Sequence, residues 1–254
     1  MEPQPAGGFR GSHSRSHRIL NFMIVGGLQQ QSFIDYPGRI SCVLFLAGCN
    51  FDCPYCHNPQ LAGGPEAWPE TIAAEEVFAF LGQRWGWLEG VVISGGEPTL
   101  HSDLPDLCRR IKDLGYPVKL DTNGSRPRML RTLLREGLVD YLAMDIKTEP
   151  ERYSEGVARQ CDGATLLASL RILMDSGVPY EFRTTCVRPL VTPATIENVA
   201  RLIAGSRLYV LQPFRESRVL HPDYFQGADP SYSAEEMDSL RRIAEPWVCA
   251  CTVR

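Results

Sequence analysis

Cys49, Cys53 and Cys56 lie within one short stretch, GCNFDCPYCHNP, directly after an apolar run that reads as a buried strand. Thiolates are strong metal ligands, and this compact spacing lets one loop wrap a metal centre, with Gly48 and Pro54 favouring a turn over a helix. Several readings compete for the three thiols. Zinc could take them with His57, but a cysteine knuckle usually finds its second ligand pair elsewhere in the chain. The string Cys53-Pro54-Tyr55-Cys56-His57 matches the C-x-x-C-H haem-attachment pattern, which needs export and leaves Cys49 unexplained. Inert buried thiols fit poorly beside Asn50, Asp52, His57 and Asn58. An iron–sulfur centre held by three cysteines, with one iron left open, accounts for both the count and the spacing.

Three further polar groupings follow strand-like runs. In Ser94-Gly95-Gly96-Glu97-Pro98-Thr99 the glycines would let a ligand approach the backbone, and Glu97 could pair with a cationic amine. Taken alone, a Gly-Gly turn is most often only a turn. In Asp121-Thr122-Asn123-Gly124 and Met144-Asp145-Ile146-Lys147, Asp and Asn could bind ribose hydroxyls or a small cation, and Lys147 a carboxylate. The plainer alternative is that Asp121 and Asn123 cap the next helix. Arg183, inside Tyr180–Thr185, is a guanidinium among strands and requires an anion or a carboxylate partner. Outside the loop, Cys42, Cys108, Cys161 and Cys186 are ungrouped, and the Cys249/Cys251 pair reads as structural. His101 and His221 stand alone, and Trp85 and Trp87 read as packing residues or a partner surface.

Those residues must be carried by elements that bring strand ends together. Strands are predicted at Cys42–Leu46, Val91–Ser94, Val118–Asp121, Tyr141–Asp145, Tyr180–Cys186 and Leu208–Leu211. Between and after them, helices are predicted at Thr71–Leu81, Leu104–Leu114, Arg126–Glu136, Gly163–Asp175, Pro193–Ile203 and Ala234–Ala244. Gly115, Gly137 and Gly177 stand where left-handed C-caps would stop helices. Six β/α steps in parallel order fit either a partial barrel or a doubly wound sheet. Residues 1–22 lack apolar periodicity and are expected to be disordered, with Met23 an alternative start and residues 23–254 one domain.

The chain has 254 residues, 44% hydrophobic and 22% charged, enough for one full core. A formal charge of −4 argues against a general nucleic-acid binder. The absence of a membrane-length apolar run or an export signal points to the cytoplasm. Nine cysteines, an odd number, suit metal ligands and buried thiols in a reducing compartment better than a disulfide framework.

In combination these motifs resemble the radical S-adenosylmethionine (SAM) superfamily, whose three-cysteine loop matches Cys49, Cys53 and Cys56, with an aromatic Tyr55 before the last cysteine and a GGE turn at Gly95–Glu97. Within it the chain is most similar to activating proteins of anaerobic ribonucleoside-triphosphate reductase. The likeness runs through IDYPGRISCVLFLAGCNFDCPYCHNP, VVISGGEPTL, VKLDTNG, DYLAMDIK and YEFRTT, and extends to YVLQPFR at Tyr209–Arg215. The resemblance implies a partial (β/α)6 barrel of parallel strands holding a [4Fe–4S] cluster on Cys49, Cys53 and Cys56. SAM would chelate the fourth iron, with Gly95, Gly96 and Glu97 near its amine, Lys147 and Arg183 near its carboxylate and Tyr55 bordering the adenine. Asn123 would join the cofactor contacts, and Asp121 and Asp145 would face the site through a monovalent cation. The implied reaction is reductive cleavage to a 5′-deoxyadenosyl radical that takes the Cα hydrogen of a glycine in the reductase, supplied with electrons by a donor such as flavodoxin or ferredoxin. No residue need act as a general acid or base. Alternatives are a radical enzyme with another protein, peptide or small-molecule target, with Arg215 a place for substrate contacts, or a non-catalytic zinc or iron–sulfur module.

Overall fold

Eight strands form one sheet in strict chain order. They are β1 (Val25–Ser32), β2 (Ser41–Leu46), β3 (Gly90–Gly95), β4 (Val118–Thr122), β5 (Tyr141–Asp145), β6 (Tyr180–Cys186), β7 (Tyr209–Pro213) and β8 (Cys251–Val253). β1 runs antiparallel to β2, and all later neighbours are parallel. This computed structural model describes residues 24–63, 65–68, 70–158, 161–215, 219–225 and 229–254. The tail expected to be disordered lies outside the described residues. β1 and β8 are not paired with each other, so the sheet is an open barrel. A doubly wound sheet would reverse its strand order at a switch point, and this order never reverses.

The helices are α1 (Pro59–Ala62) and α2 (Ala74–Gln83), then α3 (Leu104–Asp113), α4 (Pro127–Arg135), α5 (Tyr153–Gly156), α6 (Gly163–Asp175), α7 (Pro193–Leu202) and α8 (Ala234–Ala244). All six predicted strands are present as β2 to β7, and all six predicted helices as α2, α3, α4, α6, α7 and α8. Local chemistry explains their ends. Asp162, Thr192 and Ser233 cap α6, α7 and α8 through their side chains, and Gly115, Gly137 and Gly177 do adopt positive φ. The count of six strands is corrected by β1 and β8. VGGLQQQS has no apolar alternation because its three consecutive glutamines are all exposed, and the final strand is too short to show a period.

Strand alternation sorts the two faces. Leu44, Ile93, Leu120, Leu142, Phe182 and Leu211 pack outward against the helices in the main core. The concave face holds a small apolar plug of Tyr36, Val43 and Val92, flanked by Phe45 and Tyr141. Above it the same face carries Lys119, Asp121, Glu181 and Arg183, buried or nearly so. A sheet that turns charges inward at its C-terminal strand ends has a polar site to serve. Trp85 and Trp87 are exposed, so the packing alternative for them is set aside. Cys251 is buried and Cys249 is exposed.

Candidate metal and cofactor site

The cysteine loop leaves β2 at Ala47 and is fixed by backbone before any side chain acts. The Gly48 N–H donates to the Leu61 carbonyl at 2.7 Å, and the Gly48 carbonyl accepts from the Glu97 N–H at 2.8 Å. A Cβ on Gly96 would lie 2.1 Å from the Gly48 oxygen, and one on Gly95, whose φ is +120°, 2.3 Å from the Leu46 oxygen. The glycine pair is therefore required by the cysteine loop's own backbone, and both glycines also line the cavity beside it. The Phe51 N–H donates to Cys49 Sγ at 3.4 Å, and the Phe51 ring packs edge-on against Tyr153 at 5.7 Å. Outside the loop, His221 donates its backbone N–H to the Pro54 carbonyl and pairs its ring with Asp52 at 2.8 Å. His101, which looked isolated, contacts the Ala47 carbonyl at 2.9 Å.

Glu97 is fully buried and committed. Its Oε1 accepts from the Thr99 N–H at 3.0 Å, the Thr99 hydroxyl and the Thr122 hydroxyl at 2.8 Å, and its Oε2 accepts from the Asn123 N–H at 2.6 Å. Burial raises its carboxyl above the usual range, and these donors pull in the opposite direction. Glu97 latches β3 to β4 and also lines the cavity beside the cysteines. Asn123 continues the latch: its Nδ2 donates to Asn50 Oδ1 at 3.1 Å, within 4.0 Å of Cys49 Sγ, and its Oδ1 accepts from the Ser125 N–H at 2.9 Å.

Across β4, β5 and β6 the site changes character. Lys119 Nζ donates to Asp121 Oδ1, and Arg183 Nη1 to Asp121 Oδ2 at 3.2 Å. Arg183 Nε donates to Asp145 Oδ1 at 2.7 Å, and Lys147 Nζ to Asp145 Oδ2 at 2.9 Å. All four carboxylate oxygens thus accept from side-chain cations, and the aspartates face each other through a guanidinium. Burial alone would raise both carboxyls, but Arg183 with Lys119 holds Asp121 below the ordinary range, and Arg183 with Lys147 holds Asp145 further below it. Lys147 is in turn held well above its ordinary value by Asp145, Tyr55 and Cys53 against the opposing effect of burial. Tyr153 positions Lys147 by accepting its backbone N–H at 2.7 Å.

One cavity of about 360 Å³ gathers Cys49, Cys53 and Cys56 with Gly95, Gly96, Glu97, Asp121, Asn123, Asp145, Lys147 and Arg183. Tyr55 is the exception among the expected residues. It is buried and does not itself line the cavity, but it lies close enough to Lys147 and Cys53 to act on them, and its hydroxyl has no hydrogen-bond partner among the described residues. Asn50, Tyr153, Thr185 and Gln212 escaped the sequence reading. Strand alternation from Arg183 marks Thr185, and Gln212 is the one polar residue of an otherwise apolar strand end. Burial pushes the Cys49 thiol up to about 11 and Cys53 to about 12, so these sulfurs are neutral until a metal displaces their protons. Among the described residues no three His, Cys, Asp or Glu side chains converge on a point fit for a single metal ion. A cubane cluster asks for something else, one sulfur for each of three irons, and three neutral thiols spread along the wall of a cavity of this size can supply that.

An open parallel barrel with a three-cysteine loop at its strand ends defines a class. The family model of the radical SAM superfamily matches residues 43–203, and the chain belongs to that superfamily. Its cofactors are a [4Fe–4S] cluster and S-adenosylmethionine. More narrowly, the chain is 33% identical to a protein of Methanocaldococcus jannaschii named "putative glycyl-radical enzyme activating enzyme", over 91% of this chain and 95% of that one, which places it among the glycyl-radical enzyme activating relatives. It is also 30% identical to the 7-carboxy-7-deazaguanine synthase of Thermococcus kodakarensis, over 69% of this chain and 75% of that one. In fold it is similar to Streptococcus suis SuiB bound to S-adenosylmethionine, with a TM-score of 0.61 at 13% identity, covering 84% of this chain and about half, 51%, of SuiB.

Proposed function

We propose that this protein generates a glycyl radical on anaerobic ribonucleoside-triphosphate reductase. The observation that carries the reading is the meeting of Cys49, Cys53 and Cys56 with Lys147 and Arg183 in one cavity of an open barrel. The near full-length likeness to a glycyl-radical activating relative supports the class of target, and the strings from Ile34 to Arg215 support the particular one.

The three cysteines would ligate the cluster. Lys147 and Arg183 would hold the carboxylate of SAM, with Asp121 and Asp145 keeping both cations in place, while Gly95, Gly96 and Glu97 would form the wall beside its amine. Asn123 ties the cysteine loop to β4 and would join the cofactor contacts, and Tyr55 would border the adenine. When bound, the cofactors would supply one-electron cleavage of the sulfonium C–S bond to methionine and a 5′-deoxyadenosyl radical, which would become 5′-deoxyadenosine by taking the glycine Cα hydrogen atom and leave the unpaired electron on the glycine. The chain's own part is orientation and the exclusion of water. The electron comes from an external donor such as flavodoxin or ferredoxin.

Anaerobic reconstitution, reduction and mixing with the reductase tests this reading. The expected result is 5′-deoxyadenosine together with a glycyl-radical signal in electron paramagnetic resonance, both lost in Cys53→Ala. Steady 5′-deoxyadenosine without that signal would move the target to another class of substrate.

A further inference from the structure

Next to the cofactor cavity lies a second one of about 270 Å³, which opens toward Ile34 and Arg215. The two share Asp35, His57, Arg183, Thr185 and Gln212 in their walls, so they form one continuous space from the cysteines to the open side of the barrel. A substrate reaching the cofactor from that side passes these residues.

Most of them are already engaged. Asp35 Oδ2 accepts from the Ser32 hydroxyl at 2.5 Å, the His57 ring contacts the Arg215 carbonyl at 3.2 Å and Arg183 is held by Asp121 and Asp145. Deeper in the second cavity, Glu181 accepts from Arg254 at 2.6 Å and from the Tyr141 hydroxyl at 3.0 Å. Thr185 and Gln212 differ. They are direct partners in the β6–β7 register, both face the shared space, and neither side chain has a hydrogen-bond partner among the described residues.

What they offer is neutral: a hydroxyl and a primary amide, each able to donate and to accept. Neighbouring strands stand about 4.8 Å apart, so the pair presents two such groups side by side. The pair itself carries no charge, and the cations of this cavity, Arg183, Arg215 and Arg254, stand at other positions of its wall. A peptide main chain, with one N–H and one C=O per residue and no charge, matches the pair.

We infer that Thr185 and Gln212 form a main-chain subsite that holds the polypeptide segment carrying the reacting glycine. This deepens the proposed function and rests on it. The segment enters between the β1–β2 loop and β7, its peptide groups hydrogen-bond to the pair, and the glycine Cα is thereby set toward the cofactor cavity. A residue without a side chain at the reacting position lets the main chain lie close to both groups.

The test uses the full chain, anaerobically reconstituted, with the reductase as the probe, and compares wild type with Gln212→Leu and Thr185→Val. Two quantities are read: glycyl radical formed per 5′-deoxyadenosine, and the reductase concentration giving half-maximal activation. Losing one such hydrogen bond is expected to lower the first by about tenfold and to raise the second, with Gln212→Asn partly restored. A merely structural defect would lower radical and 5′-deoxyadenosine in parallel; an unchanged ratio and half-saturation in both variants, whether or not overall activity falls, overturns the subsite. If the wild type itself cleaves SAM but forms no glycyl radical, the underlying reading falls, and the subsite for this partner falls with it.

Discussion

The rim over β2 to β4 and the rim over β4 to β6 face the same cavity but are held by different forces. On the first, the cysteine loop is pressed against the glycine pair and tied by Glu97, Asn123 and Asn50, so its geometry is set by backbone contact and by hydrogen bonds to one carboxylate and two amides. On the second, Lys119, Asp121, Arg183, Asp145 and Lys147 form an alternating chain of charges. The difference separates two tasks. A cluster loop must keep three sulfurs fixed, which tight packing does without flexible side chains. A zwitterionic ligand must find charges ready to accept it, and an ion chain can yield part of its pairing to an incoming carboxylate.

The comparison can be broken most severely at Arg183. Arg183→Met leaves two largely buried aspartates short of a cation, and a loss of about 3–5 kcal/mol in denaturant-measured stability at pH 7 is expected. The loss is pH-dependent. Asp121 and Asp145 have folded-state values below the ordinary carboxylate range, so their contribution is present above about pH 4 and fades as acid protonates them. The gap between wild type and variant should therefore narrow from pH 7 to pH 3, and a constant gap would show that the ion chain is not its source.

On the packed rim, Gly96→Ala forces a methyl group into the Gly48 carbonyl. Overpacking of this kind costs about 1–3 kcal/mol, and here it also displaces the cysteine loop. Iron content after reconstitution should fall more steeply than global stability; full iron loading would mean the close approach is not needed. Asn50→Ala removes one acceptor from the latch and should cost about 1 kcal/mol, with no change in the pH dependence that marks Arg183. The smallest effect is expected from the salt: replacing potassium and sodium with a bulky organic cation should leave SAM affinity unchanged, because Lys119, Arg183 and Lys147 already balance the two aspartates. A requirement for potassium or sodium would restore the cation reading.

Much of this arrangement was legible in the sequence. The six inner strands carry strong apolar runs, and the polar residues after them converge as expected of parallel strand ends. The edge strands were not legible because β1 is rich in glutamine and glycine and β8 is only three residues long. Types and positions of site residues could be read, but their partners could not. The sequence shows Glu97 but not its bonds to Thr99, Thr122 and Asn123. It shows Asp121 and Asp145 but not Arg183 between them. Tyr55 shows the same limit, since its place in the motif is visible while the direction of its ring depends on how the loop folds.

The account rests on both rims serving one cavity, with sulfurs on one side and cations on the other. The most direct measurement is the electron paramagnetic resonance spectrum of the anaerobically reduced protein with and without SAM. A cluster signal that changes on adding SAM, and changes less in Lys147→Met, is predicted. A signal indifferent to SAM in the wild-type protein would contradict the account.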